Sequence, residues 1–346
     1  MTQLFAFGSN GGGQLGIGHM EDTNRPTACI GLPTDDPIVK ISGGGNHSAI
    51  ITKQGHLYMT GSSRHGEESH DDNEEFVNTY KRQLPDIKCR DVACGWAFTI
   101  VLTETGKLYG IGTSRWNELG SLSSTDKWTE IRHAVFDNQQ IVSIACGWRH
   151  CIALDAEGTV YGWGWGRHGQ LGPGARDKKD IRAIQRITMP QPIVQAACGH
   201  LHTLLRGKDG RVYSFGSNKY GQLGTDDTAE DISTLSVKAS WIDAGWHHSA
   251  ILDESGNLTL FGRNDHGQLT TCTQPIRGIR QFVCGSEHTV AIRDNNNEVI
   301  AWGWNEHGNC TSDMDFVSEP ISLGGFNGRV NILGAGCATT WLGVII

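Results

Sequence analysis

The chain has 346 residues, a formal charge of −8, 46 glycines and 10 cysteines. An acidic balance without a basic stripe argues against wrapping by DNA or RNA. No stretch approaches the roughly 18 apolar residues of a spanning helix.

The first residues also lack the charged start and apolar run of a secretory leader. Without such a leader the cysteines are expected to be reduced, in the cytoplasm or the nucleus. No CxxC pair is present, so a zinc ribbon built from this chain is not expected.

The chain opens on an apolar strand, Leu4-Phe-Ala-Phe, that runs into Gly8-Ser-Asn-Gly-Gly-Gly-Gln-Leu-Gly16. This phrase starts again at Gly61, Gly112, Gly164, Gly216, Gly262 and Gly303, at steps of 53, 51, 52, 52, 46 and 41 residues. A second phrase, Ala145-Cys-Gly-Trp-Arg-His150, interleaves with it, and its glycines are Gly44, Gly95, Gly147, Gly199, Gly245, Gly285 and Gly336. Each unit is too small to bury a core alone, so seven copies predict one ring of units that share cores with their neighbours.

Each second phrase continues as a strand such as His150-Cys-Ile-Ala-Leu154. A turn rich in Asp, Glu and Gly follows, and then a strand such as Thr159-Val-Tyr-Gly-Trp-Gly164 enters the next first phrase. That is a β-hairpin pattern. From second-phrase glycine to first-phrase glycine the count is 17 residues in five units and 18 in the sixth. The return interval varies from 36 down to 23, so the hairpin is the fixed inner part of each unit. About fifty residues accommodate four short strands, the blade of a propeller. The expected fold is all-β: a single seven-bladed β-propeller over residues 1–346, closed by pairing of the N- and C-terminal strands.

The interval from Gly262 to Gly285 is too short for a full blade, so a truncated blade is expected there. Its outer edge is either covered by a loop or open to pairing by a partner. The acidic stretch 67–75 is expected to be a solvated loop.

The middle slot of the first phrase holds Gly13, Gly66, Asn117, Gly169, Gly221, Gly267 and Gly308, which predicts a left-handed turn in every blade. The Gln-Leu pair that follows is expected to anchor it, Leu by burial and Gln by bonding to backbone. His47, His150, His202, His248 and His288 share one slot of the second phrase, with Phe98 and Thr339 in the remaining blades. One histidine per blade implies a repeated structural hydrogen bond, not convergence on a metal. His200 and His202 form an HxH pair without a third ligand. Cys94, Cys146, Cys198 and Cys284 also share a slot, as small buried hydrophobes that do not meet one another. No catalytic, cofactor-binding or metal site is expected, and the chain is read as non-enzymatic.

Exposed Trp and Arg are common binding hot spots. The slot after the second-phrase glycine holds Trp96, Trp148, His200 and Trp246. One loop of the first phrase brings Trp165, Arg167 and His168, and another brings Trp304, Asn305, Glu306 and His307. These residues, His200 apart, are the candidate partner contacts. Trp163 and Trp302 match Phe7 and Phe215 and are expected in the core.

The paired phrases resemble the repeats of the regulator-of-chromosome-condensation family, seven-bladed propellers, along the whole chain. Within the family the chain most resembles the short fungal α-tubulin-suppressor (killer-toxin-insensitivity) branch. That likeness rests on Phe5-Ala-Phe-Gly-Ser-Asn10, Gly44-Gly-Asn-His-Ser48, Asp91-Val-Ala-Cys-Gly-Trp96 and the segments 302–310 and 336–341. It implies a protein that is monomeric when alone and pairs with a small CSL-type zinc electron-carrier protein. The pair would serve diphthamide synthesis on the translation elongation factor and Elongator-dependent modification of the tRNA wobble uridine. A rival from another class is a guanine nucleotide exchange factor for a Ran-like small GTPase. The founder of the family carries a basic tail and a wedge insertion, which are not evident here, so this reading is placed second.

Overall fold

The computed structural model describes residues 2–62, 76–172, 183–225, 232–271, 274–294, 297–324 and 326–346. The acidic stretch 67–75 and Cys272 lie outside the described residues. Seven antiparallel sheets succeed one another along the chain. From inside outward, blade 1 is Ile38–Gly43, His47–Thr52, Leu57–Ser62 and Phe76–Gln83. Blade 2 is Cys89–Cys94, Phe98–Thr103, Leu108–Gly112 and Thr125–Ile131, and blade 3 is Ile141–Cys146, His150–Asp155, Val160–Gly164 and Gln185–Ile187. Blade 4 is Ile193–Cys198, His202–Gly207, Arg211–Gly216 and Ser233–Lys238. Blade 5 has three strands, Trp241–Ala244, His248–Leu252 and Leu258–Gly262. Blade 6 is Ile279–Cys284, His288–Arg293, Val299–Trp304 and Phe316–Ser322. Blade 7 joins both ends of the chain: Arg329–Gly336, Thr339–Ile345, Thr2–Gly8 and Thr23–Ala28. Its central ladder runs from Thr2 opposite Ile345 to Gly8 opposite Thr339. A 3-10 turn, Ala134–Phe136, is the single helical element among the described residues.

The short blade is the expected one. Leu258 exchanges backbone hydrogen bonds of 2.8 and 2.9 Å with Ile276, so the returning chain pins one point where a fourth strand would lie.

Backbone bonds close a circuit around the inner turns. Gly45 donates to Trp96, Trp96 to Trp148, Trp148 to Gly199, His200 to Trp246, Trp246 to Ser286, Ser286 to Gly336 and Cys337 to Gly44, at 2.7–3.4 Å. Each pair of neighbouring blades contributes one such bond.

The repeated histidines form a second tie between blades. His47, His150, His202, His248 and His288 place Nε2 at 2.8–3.1 Å from Thr99, Thr203, Ser249, Thr289 and Thr340 of the following blade. The hydroxyls of Thr203, Ser249 and Thr340 donate in turn, each at 2.8 Å, to the carbonyls of Gln170, Gln222 and Asn309 in the preceding blade. A hydroxyl has one proton, so these three imidazoles must donate from Nε2. One hydroxyl therefore grips both phrases of its neighbour. Where Phe98 replaces the histidine, the facing residue is Cys151, and both sit in one apolar cluster.

The glycines serve the same seam. A Cβ on Gly285, Gly199 or Gly245 would lie 2.0–2.2 Å from Cε1 of the histidine three residues on. All seven first-phrase starting glycines have φ between 94° and 121°, and the six described middle-slot residues have φ between 61° and 86°. The second set was expected and the first was not. The glutamine oxygens accept from turn N–H groups, Gly12, His168, Tyr220 and His266, at 2.8–2.9 Å. The leucines are buried in four blades, while Leu269 is half-buried.

The core lies in the seams between blades. One cluster joins Ile100 and Phe98 of blade 2 to Ala153 and Trp163 of blade 3. Trp163 and Trp302 are fully buried and donate to the carbonyls of Glu118 and Gln268 in the preceding blade, at 2.8 and 3.0 Å. The inner strands surround an axial cavity of about 740 Å³. Side chains cap their inner edges: Asp91 accepts from the Ile144 N–H at 3.2 Å, and Asp243 from the Cys284 N–H at 2.8 Å. The same-slot cysteines stay apart, Cys94 and Cys198 donating to carbonyls of the preceding blade. Cys146 does meet Cys151 of its own blade, Sγ to Sγ 3.6 Å, a contact that the repeat does not announce.

Burial lowers His150, His202 and His288 to about 3 and His248 to about 4. The unfolded chain therefore binds these protons first. The stability they confer is complete above about pH 6.5 and is lost as the pH falls toward 4. Asp243, raised to about 6 by burial, and Glu118, also raised by burial, work in the opposite sense but are two groups against four. Each histidine should cost up to about 2 kcal/mol at pH 5. Urea midpoints should fall steadily from pH 7 to pH 5, and a flat profile would show that these rings are hydrated.

Candidate functional site

In an antiparallel blade, the turn after the first strand and the loop after the third lie at the same end. Both phrases therefore open on one face of the ring. The first-phrase loops form its rim and the second-phrase turns form the mouth of the axial cavity.

Aromatic side chains run from mouth to rim. Trp96 and Trp246 lie 5.6 Å apart, centroid to centroid, and the His200 ring stacks on Trp246 at 5.4 Å. His200 also meets the edge of Trp148 at 4.3 Å. Trp148 lies 5.4 Å from Trp165, which stacks on Trp116 at 5.8 Å and meets His168 at 5.3 Å. These rings are half-buried, and their outer surfaces face solvent. The Arg149 guanidinium lies 4.5 Å above Trp148 and 4.0 Å from Glu118. Glu118 takes the glutamine slot and accepts from the Trp116 N–H at 2.7 Å. Its burial pushes its carboxyl up.

A polar relay holds the mouth together. His200 Nδ1 lies 3.3 Å from His247 Nε2, and His247 donates from Nδ1 to Glu287. Gln268 donates to the other Glu287 oxygen at 2.9 Å. Burial would raise Glu287, but its bond to His247 and the histidine charges nearby hold it below the usual carboxylate range. Tyr220 meets His247 at 5.2 Å and lies under Arg263, whose guanidinium is 5.4 Å away.

The structure brings Trp96, Trp148, Trp165, His168 and Trp246 into one contiguous surface, with Arg167 exposed beside it. Trp304 and His307 belong to a separate corner, 6.1 Å from each other, and Glu306 is exposed there. Asn305, expected among the contacts, does not belong to the surface. It is 2 % exposed; its oxygen accepts from the Cys310 N–H, and its amide donates to the Ser312 and Met314 carbonyls. Its slot needs a short polar side chain to close the turn, as Asn10, Asn218 and Asn264 do. His247, Glu287 and Arg149 were not singled out from the sequence. Their slot, two after the second-phrase glycine, also holds Asn46, Ala97, Leu201 and Ala338. That variation within an otherwise regular phrase was the available signal.

A ring of this geometry, with a polar-aromatic face and its histidines committed to the seams, defines a β-propeller suited to protein docking. The chain matches the RCC1-like domain over residues 3–342 and belongs to that family. It is 31 % identical to a mouse secretion-regulating guanine nucleotide exchange factor, over 89 % of this chain and 75 % of that protein. It is 30 % identical to an RCC1 repeat-containing protein of Schizosaccharomyces pombe, with 98 % of each covered. Its fold is similar to that of Prp20p from Saccharomyces cerevisiae, with a TM-score of 0.86 and 22 % identity over 99 % of this chain and 91 % of that one.

Burial, with the neighbouring His247 adding to it, lowers His200 to about 4. Titration of the histidine ring signals by NMR should show His200 neutral at pH 6. A midpoint near 6.5 would mean that the ring is solvated and the mouth cluster open.

Proposed function

We propose that this chain is a docking propeller that acts on a small GTPase as a guanine nucleotide exchange factor. The observation that carries this reading is the 31 % identity, across nearly the whole ring, to a mouse protein named as such a factor. It displaces the zinc-protein reading to second place. Exchange needs binding and no covalent step: the factor favours the nucleotide-free GTPase over the loaded form. A rigid face rich in Trp and Arg suits that task, because hot spots are enriched in these side chains. We assign the contact to the rim of blades 2–4, with Trp148, Trp165, Arg167 and His168 as contacts and Trp96, together with Trp246 of blade 5, at the centre. The compartment proposed is the cytosol or nucleus. The nine described cysteines are all free thiols, in keeping with a reducing compartment.

The second reading is the heterodimer with a small CSL-type zinc protein, serving Elongator-dependent tRNA modification and diphthamide synthesis. It rests on the likeness of the repeat phrases alone; the fungal relative matched over 98 % of each chain is named only as an RCC1 repeat-containing protein.

One experiment separates the two. Release of a fluorescent nucleotide should be followed from a panel of small GTPases that includes a Ran-like one, alongside calorimetry with a recombinant CSL-type zinc protein. The exchange reading expects faster release from at least one GTPase, reduced about tenfold or more by W165A or R167E. Unchanged release across the panel, with tight binding of the zinc protein, would replace it by the second reading.

A further inference from the structure

The tip of the first phrase, three residues after its first glycine, changes sign around the ring. Arg115, Arg167 and Lys219 occupy it in blades 2–4, and Asp265 and Glu306 in blades 5 and 6; all five are exposed. The proposed exchange contact uses the basic half and leaves the acidic half without a role.

On that half the acids surround apolar surface. Phe316 and Met314 are 48 % and 58 % exposed. Phe316 stands opposite Trp304 in the strand ladder. The His266 ring lies 6.4 Å from Phe316 and 6.2 Å from Trp304. Asp313 and Asp315 flank Met314 and are exposed, and a hollow of about 480 Å³ runs along residues 313–319. Asp313 accepts from Asn24 of blade 7 at 2.7 Å, and Asp22 pairs with His307 at 2.7 Å, so the corner spans the seam between blades 6 and 7. Arg263, a base on this side, is already bound to Asp265 and lies 3.8 Å from Glu287, and the exposed Arg25 stands on the outer strand of blade 7. Exposed aromatic and methionine side chains with a rim of one charge are the marks of a docking surface. The strand edge itself is guarded by Glu319 and Pro320, so an occupant would sit on the rim and not extend the sheet.

We propose that this corner docks a basic segment of a partner protein. Its apolar side chains would seat on Phe316, Met314 and Trp304, and its lysines and arginines would meet Asp313, Asp315, Glu306 and Asp265. The site is distinct from the exchange contact and does not depend on it.

The probe is a fluorescein-labelled peptide of alternating lysine, leucine and arginine, with a glutamate-for-base control, followed by anisotropy on the full chain. The basic peptide should bind, the control should not, and added salt should weaken binding because the charges are exposed. The D313K/D315K double variant and F316A should each weaken binding about tenfold, with unchanged melting temperatures. R167E, on the basic half, should bind as wild type does and lose only nucleotide exchange. Equal binding of both peptides, or wild-type affinity in the D313K/D315K and F316A variants, would overturn the proposal. So would sedimentation showing that the corner is covered by a second copy of this chain.

Discussion

The hydroxyl that follows the histidine slot is the point on which the ring depends. In blades 4, 5 and 7 it receives a proton from the imidazole of the preceding blade and gives its own to a carbonyl in that blade's other phrase. At these three seams one side chain of the neighbour holds both phrases. A buried hydrogen bond of this kind stabilises by about 1 kcal/mol net, and an orphaned partner costs more. Repetition around a closed circle makes the small quantity decisive, since no blade can leave its place without breaking two seams.

That rigidity gives the binding face its form. The mouth residues are carried by the same turns whose backbones close the inner circuit, so Trp96, Trp148, His200 and Trp246 sit at fixed separations. Side chains that do not need to be ordered on binding lose little entropy there. The split of charge across the rim then lets one scaffold offer two unlike surfaces, a basic aromatic half and an acidic aromatic corner. The five repeated histidines, which invite a chemical reading, are spent on the seams.

Blade number, the closing strand pair and the short fifth blade were legible in the sequence, because spacing records them directly. The left-handed middle turn was legible at Asn117, the one non-glycine that tolerates it readily. The starting glycines were read only as part of the phrase. Their positive φ comes from a close approach to the preceding turn, as at Gly61, where a Cβ would meet the Asn46 carbonyl at 2.4 Å. Such proximity has no one-dimensional signature. The exchange of Phe98 with Cys151 is a spatial correlation across 53 residues and becomes visible only when the blades are set side by side. The site was half legible: repeated Trp and Arg slots were read as contacts, and the structure gathers most of them on one face. Asn305 was misplaced because an anchoring asparagine and a contact asparagine look alike in a loop. Phe316 and Met314 went unnoticed because they lie where the phrases stop.

The most direct test of the seam is a double-mutant cycle on His202 and Ser249, read by urea unfolding at neutral pH. Phe and Ala are the replacements, since Phe98 already shows that the slot accepts an aromatic ring. If one hydroxyl joins the phrases of adjacent blades, H202F and S249A should couple by about 1 kcal/mol or more, the double variant losing less than the sum. Simple additivity of the two losses would contradict it and would leave apolar packing as what holds the ring.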